Sequence, residues 1–307
     1  MTTVLVTGAT SAVGAAVVGE LRERGAAARA FVRDPAMAAA RLGDDVELAV
    51  GDFEDPASVR RALLGVDRVF LACGNVPGQV RHETSAIDAA AAAGVERIVK
   101  LSANGAAAGS TLAFWDWHGR IEQHLARSGV AAVVLRPDNY MTNLLASAEA
   151  IANTGMLFAP AGGARVAMVD PRDVAAVAAV ALTEDGHDGE GYVLTGPAAV
   201  TYDEVAAALS DATGRQVAFV DVDDEAARQG MLEAGLPGFL IDFLVALFGA
   251  LRGGAHAVPT SSVRAVTGNE PRGIAAFARE HAAAFGGPAR GPQRQNTQPA
   301  SPRISAR

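Results

Sequence analysis

The stretch TTVLVTGATSAVGAAVVGELRERG, residues 2–25, constrains this chain more than any other. An apolar, β-branched run ends at Gly8, small residues follow, and Gly14 opens a segment with helical spacing. A glycine just past a strand lets the backbone turn sharply, and a second lets the next helix lie close to the sheet. That helix begins with unpaired N–H groups and the positive end of its dipole, which together favour a pyrophosphate. A glycine-rich turn alone is a weak signal. This one follows a strand run, opens a helix and starts a strand–helix series, the context a dinucleotide site needs. The candidate contacts are Gly8, Thr10, Ser11, Ala12, Val13 and Gly14. The plain alternative is a turn of the same shape that holds no ligand.

Five further apolar runs repeat the rhythm: ARAFVRD, DVELAVGD, DRVFLACG, ERIVKLSA and VAAVVLRP, separated by helical segments such as Val13 to Arg24 and Pro56 to Leu64. Short strands buried on both faces and alternating with helices predict an α/β fold, a doubly wound parallel (Rossmann) sheet. After Pro137 the rhythm loosens. A helix is expected from about Met141 to Ala152, then a short strand ARVAMVD, a helix opened by Pro171, a strand GEGYVLTGP, a helix capped by Thr201 with Glu204 three residues on, and a strand QVAFVDV. The resulting division is 1–137 as the dinucleotide-binding core and 138–285 as the remaining sheet elements plus a small, mostly helical C-terminal substrate lobe. Residues 286–307, rich in Pro, Gly, Gln and Ser and without apolar period, are expected to be disordered.

Composition excludes several classes. The formal net charge of −8 argues against nucleic acid and anionic membrane as partners. One cysteine, Cys73, rules out an intrachain disulfide and a Cys-rich zinc site, and no metal site is expected. The longest apolar run, GFLIDFLVALFGAL, contains Asp242 and falls short of the ~20 residues a membrane span takes. It reads as a helix packed on the core or on a second subunit, or as a lid over an apolar substrate. No signal-peptide pattern opens the chain, so a cytoplasmic address is expected.

Strand ends supply the remaining cofactor candidates. Arg33 closes the second run, where an acid would bind the ribose hydroxyl of NAD and an arginine suits the 2′-phosphate of NADP; Asp34 follows at once, and NADP(H) is favoured over NAD(H). Asp52 and Phe53 end the third run and could hold and flank the adenine, unless Asp52 merely serves the N-terminus of the next helix. Cys73, Gly74 and Asn75 end the fourth run, near where a nicotinamide ribose would pass, and Ser102 ends the fifth.

Together VTGATSAVG, VRDP, GDFEDPASVRRAL, RIVKLSA, HGRIEQHLARSGVAAVVLRPDNYMTNLL, DPRDVAAVAA and GYVLTGPAAVTYDEVAAAL resemble the NmrA-like group of atypical short-chain dehydrogenase/reductases, with the bacterial NAD(P)H:quinone and azo-type reductases as the nearest subgroup. The resemblance runs from Thr2 to Phe285 and is loosely informative on substrate. The group's usual turn carries glycine where this chain has Ser11, whose N–H and hydroxyl could still meet phosphate. Standard short-chain dehydrogenases use a tyrosine with a lysine four residues on. Here Tyr140, Tyr192 and Tyr202 are followed at that spacing by Leu144, Gly196 and Ala206, and the only lysine is Lys100.

Hydride transfer to a quinone-like or other conjugated acceptor tolerates that loss, because the electrons delocalise and water can protonate the product. The main task is to hold the nicotinamide against the acceptor. Asn104, Trp115, Asn139, Tyr140 and Asn143 are candidates for a wall around an aromatic or conjugated small molecule, although Trp115 and Trp117 could simply pack at a helix start. His118, one helical turn before Glu122, and Tyr140 are the candidate catalytic residues; a surface ion pair is the alternative for the His118–Glu122 spacing. Asp170 and Asp173 read as helix N-terminal acids. The favoured function is an NADPH-dependent reductase, acting as monomer or homodimer. The alternatives are a non-catalytic NADP-binding redox sensor, or a ketoreductase, dehydratase or isomerase of a biosynthetic pathway.

Overall fold

The computed structural model describes residues 2–288, and in it the six apolar runs of the first half become strands of one sheet. In order these are β1 (Thr3–Val6), α1 (Ala12–Glu23), β2 (Ala27–Val32), α2 (Pro35–Leu42), β3 (Glu47–Val50), α3 (Pro56–Ala62), β4 (Arg68–Leu71), α4 (Gln79–Ala92), β5 (Arg97–Leu101), α5 (Ala113–Leu125) and β6 (Ala131–Pro137). A 3-10 turn at Met141–Ser147 leads into α6 (Ala148–Thr154), β7 (Met156–Ala159), α7 (Pro171–Thr183), β8 (Gly191–Leu194), α8 (Tyr202–Thr213), β9 (Ala218–Asp221), α9 (Asp224–Glu233), α10 (Gly238–Arg252), α11 (Ser262–Thr267) and α12 (Ile274–Glu280).

The main sheet has seven strands in the order β3-β2-β1-β4-β5-β6-β8, and every neighbouring pair is parallel. The chain therefore winds outward from β1 in one direction and then restarts at β4 in the other. That reversal opens a crevice at the C-terminal ends of β1 and β4, where open α/β sheets bind ligands. Thr7 locks its floor: its hydroxyl donates to the carbonyl of Ala72 at 2.8 Å and accepts the Ala72 N–H at 2.8 Å.

Alternation along each strand feeds two cores. Val4, Val6, Val99 and Val133 face α1, α2 and α7, while Leu5, Val69, Leu71 and Ile98 face α3, α4 and α5. In α7 nearly every side chain is Ala, Val or Leu and buried, so it can lie between the sheet and its neighbours with little volume. Pro171 opens it and Asp170 caps it, accepting the Arg172 N–H.

Residues after Pro137 add β8 to the main sheet and build a third core around Met141, Ile151, Leu157, Tyr202, Leu209 and Phe277. Thr201 and Glu204 make the capping box that their spacing implies. Four local expectations are corrected. The run ARVAMVD is not a strand but crosses from lobe to core through two isolated bridges, Tyr140–Val169 and Val166–Val200. A strand the pattern hid, MLFA, pairs in parallel with β9 after the left-handed Gly155. The helix expected from Met141 begins as a 3-10 turn and becomes α-helical only at Ala148. Gly286 and Gly287 close a final 3-10 turn, Ala282–Phe285, rather than starting a tail, and of the segment expected to be disordered, 289–307 lies outside the described residues.

The apolar run of the lobe forms α10, of which only Ile241 and Leu251 are buried. Phe243 ties it to the core by stacking on Phe114 of α5, ring centroids 4.0 Å apart. Among the described residues no helix is long and apolar enough to cross a membrane.

Candidate active site

The junction of β1 and α1 is built by its glycines. Gly8 has φ +61°, a conformation that L side chains avoid. A Cβ on Gly14 would sit 2.2 Å from the Gly8 carbonyl oxygen, so only glycine lets α1 start so close to the turn. Ser11 caps the helix by accepting the Gly14 N–H at 3.0 Å, and its own N–H goes to the Gly8 carbonyl. The Ser11 N–H expected to meet a phosphate is thus already used, because the turn itself needs it. The N–H groups of Ala12 and Val13 have no partner within the described chain and are the helix's free donors. Val13 is buried, and Thr10 is half-buried beside the turn.

Arg33 stands exposed past the end of β2, with no hydrogen bond or ion pair among the described residues. Asp34 is committed to capping α2. At the end of β3, Asp52 accepts the Glu54 N–H at 2.9 Å in a turn, and the helix cap proper is Asp55. Phe53 stacks on His82 with centroids 6.0 Å apart and meets Phe31 edge-on. Past β4, Gly74 and Asn75 are exposed. Cys73 is half-buried with Sγ 3.9 Å from His82 Nδ1, and burial, reinforced by the Glu83 carboxylate, pushes its thiol up to about 12. His82 in turn reaches Glu54 at 2.7 Å.

The far side of the crevice is a set of buried polar networks. Lys100 points from β5 into the α4–α5 layer, fully buried, with Nζ 2.8 Å from the Glu83 carboxylate and 3.2 Å from His118 Nδ1, and it also donates to the Leu101 carbonyl. Gln79 donates to the other Glu83 oxygen at 2.9 Å. Burial raises the Glu83 pKa against the pull of Lys100. Burial and the Lys100 charge hold the His118 imidazole well below its usual range. His118 is therefore neutral, accepts at Nδ1 and carries its proton on Nε2, where it can donate a hydrogen bond but not act as an imidazolium. Its expected partner Glu122 is elsewhere, paired with Arg136 at 2.6 Å and accepting from the Ser102 hydroxyl. Ser102 is buried, and its hydroxyl is committed to that pair rather than free for a ligand.

Tyr140 packs on the α1–α7 core with its hydroxyl buried and unpartnered, and burial raises its pKa. Asn139 and Asn143 follow β6; Asn143 is exposed and reaches the Asn139 side chain at 3.4 Å. Asn104, past β5, donates to Asp138 at 2.7 Å. Trp115 lies over Gly105 and beside His256, ring centroids 5.5 Å apart. Phe114 and Trp117 pack on each other, with Phe114 buried.

Asn104, Asp138, Trp115 and His256 thus converge at the C-terminal ends of β5 and β6. Asp138 and His256 were not singled out from the sequence. Asp138 stood beside residues that were, in RPDNYMTN, and His256 has no local signal in GGAHAVP. Lys100 and Glu83 carried a readable one: a lone lysine in the middle of an apolar strand needs a buried counter-charge. Asp170 and Asp173 pair with Arg172 and Arg272 at the start of α7. Among the described residues no group of three or more His, Cys, Asp or Glu could hold a metal.

The sequence profile described as the NmrA-like family matches residues 1–245. The chain is 40% identical over 283 residues to an NAD(P)H azoreductase of Xenophilus azovorans, covering 92% of this chain and 99% of that one. It is 34% identical over 255 residues to quinone oxidoreductase 2 of Escherichia coli strain K12, covering 82% and 89%. Among solved structures, an NADPH-dependent quinone oxidoreductase of Escherichia coli complexed with NADPH superposes with a TM-score of 0.83 at 30% identity, covering 90% of this chain and 99% of that one.

Proposed function

The chain belongs to the NmrA-like family, and from that premise we propose that it is an NADPH-dependent reductase of quinone-like or azo acceptors. The β1–α1 junction carries the reading. A turn only glycine can make presents two free helix N–H groups at the sheet's switch point, and an uncommitted guanidinium waits at the adenosine end. These features fit NADP(H): Ala12 and Val13 would take the pyrophosphate, and Arg33 the 2′-phosphate. Asp52 and Phe53 would flank the adenine, and Gly74 and Asn75 the nicotinamide ribose. When bound, the cofactor supplies hydride.

Residues 1–137 then hold the dinucleotide, and the segment after Pro137 closes the acceptor side. The acceptor class follows from the chain's acid chemistry. No tyrosine has a lysine four residues on, and the one lysine is spent in a buried ion pair. An isolated ketone would lack the usual proton donor, whereas a conjugated acceptor spreads the incoming charge. Two relatives, named for azo and quinone reduction, support the same class. Trp115, Asn104, Asn139 and Asn143 are the wall such a small molecule would meet.

The test is NADPH oxidation by the purified protein against several quinones and one azo dye, with NADH in parallel. Loss of nicotinamide absorbance that requires both protein and acceptor, faster with NADPH than with NADH, is expected. Tight NADPH binding with no turnover on any acceptor would overturn the reductase reading.

A further inference from the structure

His256 and Asp138 form a buried pair that the binding of a dinucleotide does not explain. The imidazole is 4% exposed, and its Nδ1 lies 2.9 Å from Asp138 Oδ2. Asp138 also accepts from the Asn104 side chain and from the Asn139 N–H, each at 2.7 Å. An ionised carboxylate can only accept, so Nδ1 must carry the proton and Nε2 is left as the reactive nitrogen. That Nε2 is buried and has no hydrogen-bond partner among the described residues. Burying a polar atom without a partner is unfavourable, and such an atom persists where a ligand or a reaction needs it. The pair is assembled from three remote segments, past β5, past β6 and past α10, and Trp115 lies against the imidazole.

We propose that His256 is the proton donor of the reduction, held in its working tautomer by Asp138, and that the reduced oxygen or nitrogen of the acceptor lies against its Nε2. This rests on the reductase reading. An imidazolium at position 256 faces an anion, whereas one at position 118 would face the Lys100 cation. His256 therefore takes the role the sequence suggested for His118.

A quinone that has gained hydride holds two more electrons and one more proton, and carries one anionic oxygen. Nε2 first takes a proton from solvent, giving the imidazolium that Asp138 faces; that Nε2–H bond then breaks, its proton forms the second O–H bond of the hydroquinone, and the Nδ1–H tautomer is restored. Each turnover oxidises one NADPH, reduces one quinone and consumes one proton. Asp138 holds the Nδ1–H and is a positioning residue, as in other carboxylate–histidine pairs.

The test uses menadione as acceptor. His256→Gln should lower kcat by about a hundredfold or more, in the range of lost general acid catalysis. Its NADPH dissociation constant, read by fluorescence, should stay within about threefold of wild type. Asp138→Asn should lower kcat at least about tenfold with the KM for NADPH unchanged. Imidazole in the buffer should restore part of the activity of His256→Ala, which a purely structural role would not allow. A readout free of turnover uses the wild-type protein alone: in the non-reacting mixture with NADP+ and menadione, the 15N resonance of His256 Nε2 should shift. This keeps the proposal testable even if a variant fails to fold. The proposal is overturned if His256→Gln keeps kcat within twofold, if NADPH binding falls in parallel with kcat, or if the Nε2 resonance does not move. A wild-type protein that binds NADPH and reduces no quinone defeats the reductase reading instead, and this proposal with it.

Discussion

The two ends of the crevice are made of different materials. At the β1–α1 end the work falls to the backbone: a positive-φ glycine, a glycine no side chain could replace, and, among the described residues, two free N–H groups and one exposed arginine with no partner. At the β5–β6 end the work falls to side chains, most of them buried and all already paired: Lys100 with Glu83 and His118, Glu122 with Arg136 and Ser102, Asp138 with Asn104 and His256. A backbone cradle recognises any dinucleotide of the right shape. A pre-paired polar wall fixes where a proton sits and which groups remain free. The contrast teaches that the glycine turn depends on local backbone geometry, while the polar networks beyond it depend on charges brought together in the core from remote segments.

Substitutions can break or sharpen this contrast. The largest effect is expected from Gly14→Val, whose branched side chain would begin 2.2 Å from the Gly8 carbonyl oxygen. Overpacking of this kind costs about 1–3 kcal/mol and more where backbone must move, and NADPH binding by titration should be lost. Next comes Lys100→Met, which leaves Glu83 buried without its cation. Removing one member of a buried pair costs about 3–5 kcal/mol, measured by denaturant unfolding, and adding Glu83→Gln should recover part of it. If Lys100→Met were neutral, the α4–α5 layer would not depend on its buried charge pair. Arg33→Ala should weaken NADPH by about tenfold to a hundredfold, the worth of a charge-assisted phosphate contact, and leave NADH nearly untouched. Equal loss for both would remove the 2′-phosphate assignment.

The smallest effect is a pH slope. The folded protein keeps His118 neutral, so as pH falls through about 6.5 the unfolded chain binds a proton that the folded one refuses. Stability is thus lost on acidification from pH 7 towards 5. His118→Asn should flatten the fall of Tm over that window, and an unchanged slope would mean that the imidazole is not held neutral.

The same division decided what could be read from the sequence. A constraint such as Gly14 is local: strand, turn and helix lie in one stretch, and the glycine's reason is a contact six residues away. Thr201 with Glu204 was legible for the same reason. Asp138 and His256 are 118 positions apart, so nothing local announces their meeting. His118 and Glu122 had the right spacing to meet on one helical face, yet longer-range partners, Lys100 and Arg136, took each of them. Spacing on a helix says which side chains could touch, not which charge arrives from a strand. The strand MLFA was hidden because four residues next to Gly155 give too short a pattern, and ARVAMVD misled because a buried connection is as apolar as a strand.

The most direct test is a single-turnover experiment: protein loaded with one equivalent of NADPH, mixed rapidly with menadione, and followed at the nicotinamide and quinone absorbances together. Both should disappear in step, one for one, with no added flavin or metal, and more slowly when the transferred hydrogen of the nicotinamide is deuterium. NADPH that stays bound and reduced while quinone is present would contradict it and make the chain a dinucleotide sensor.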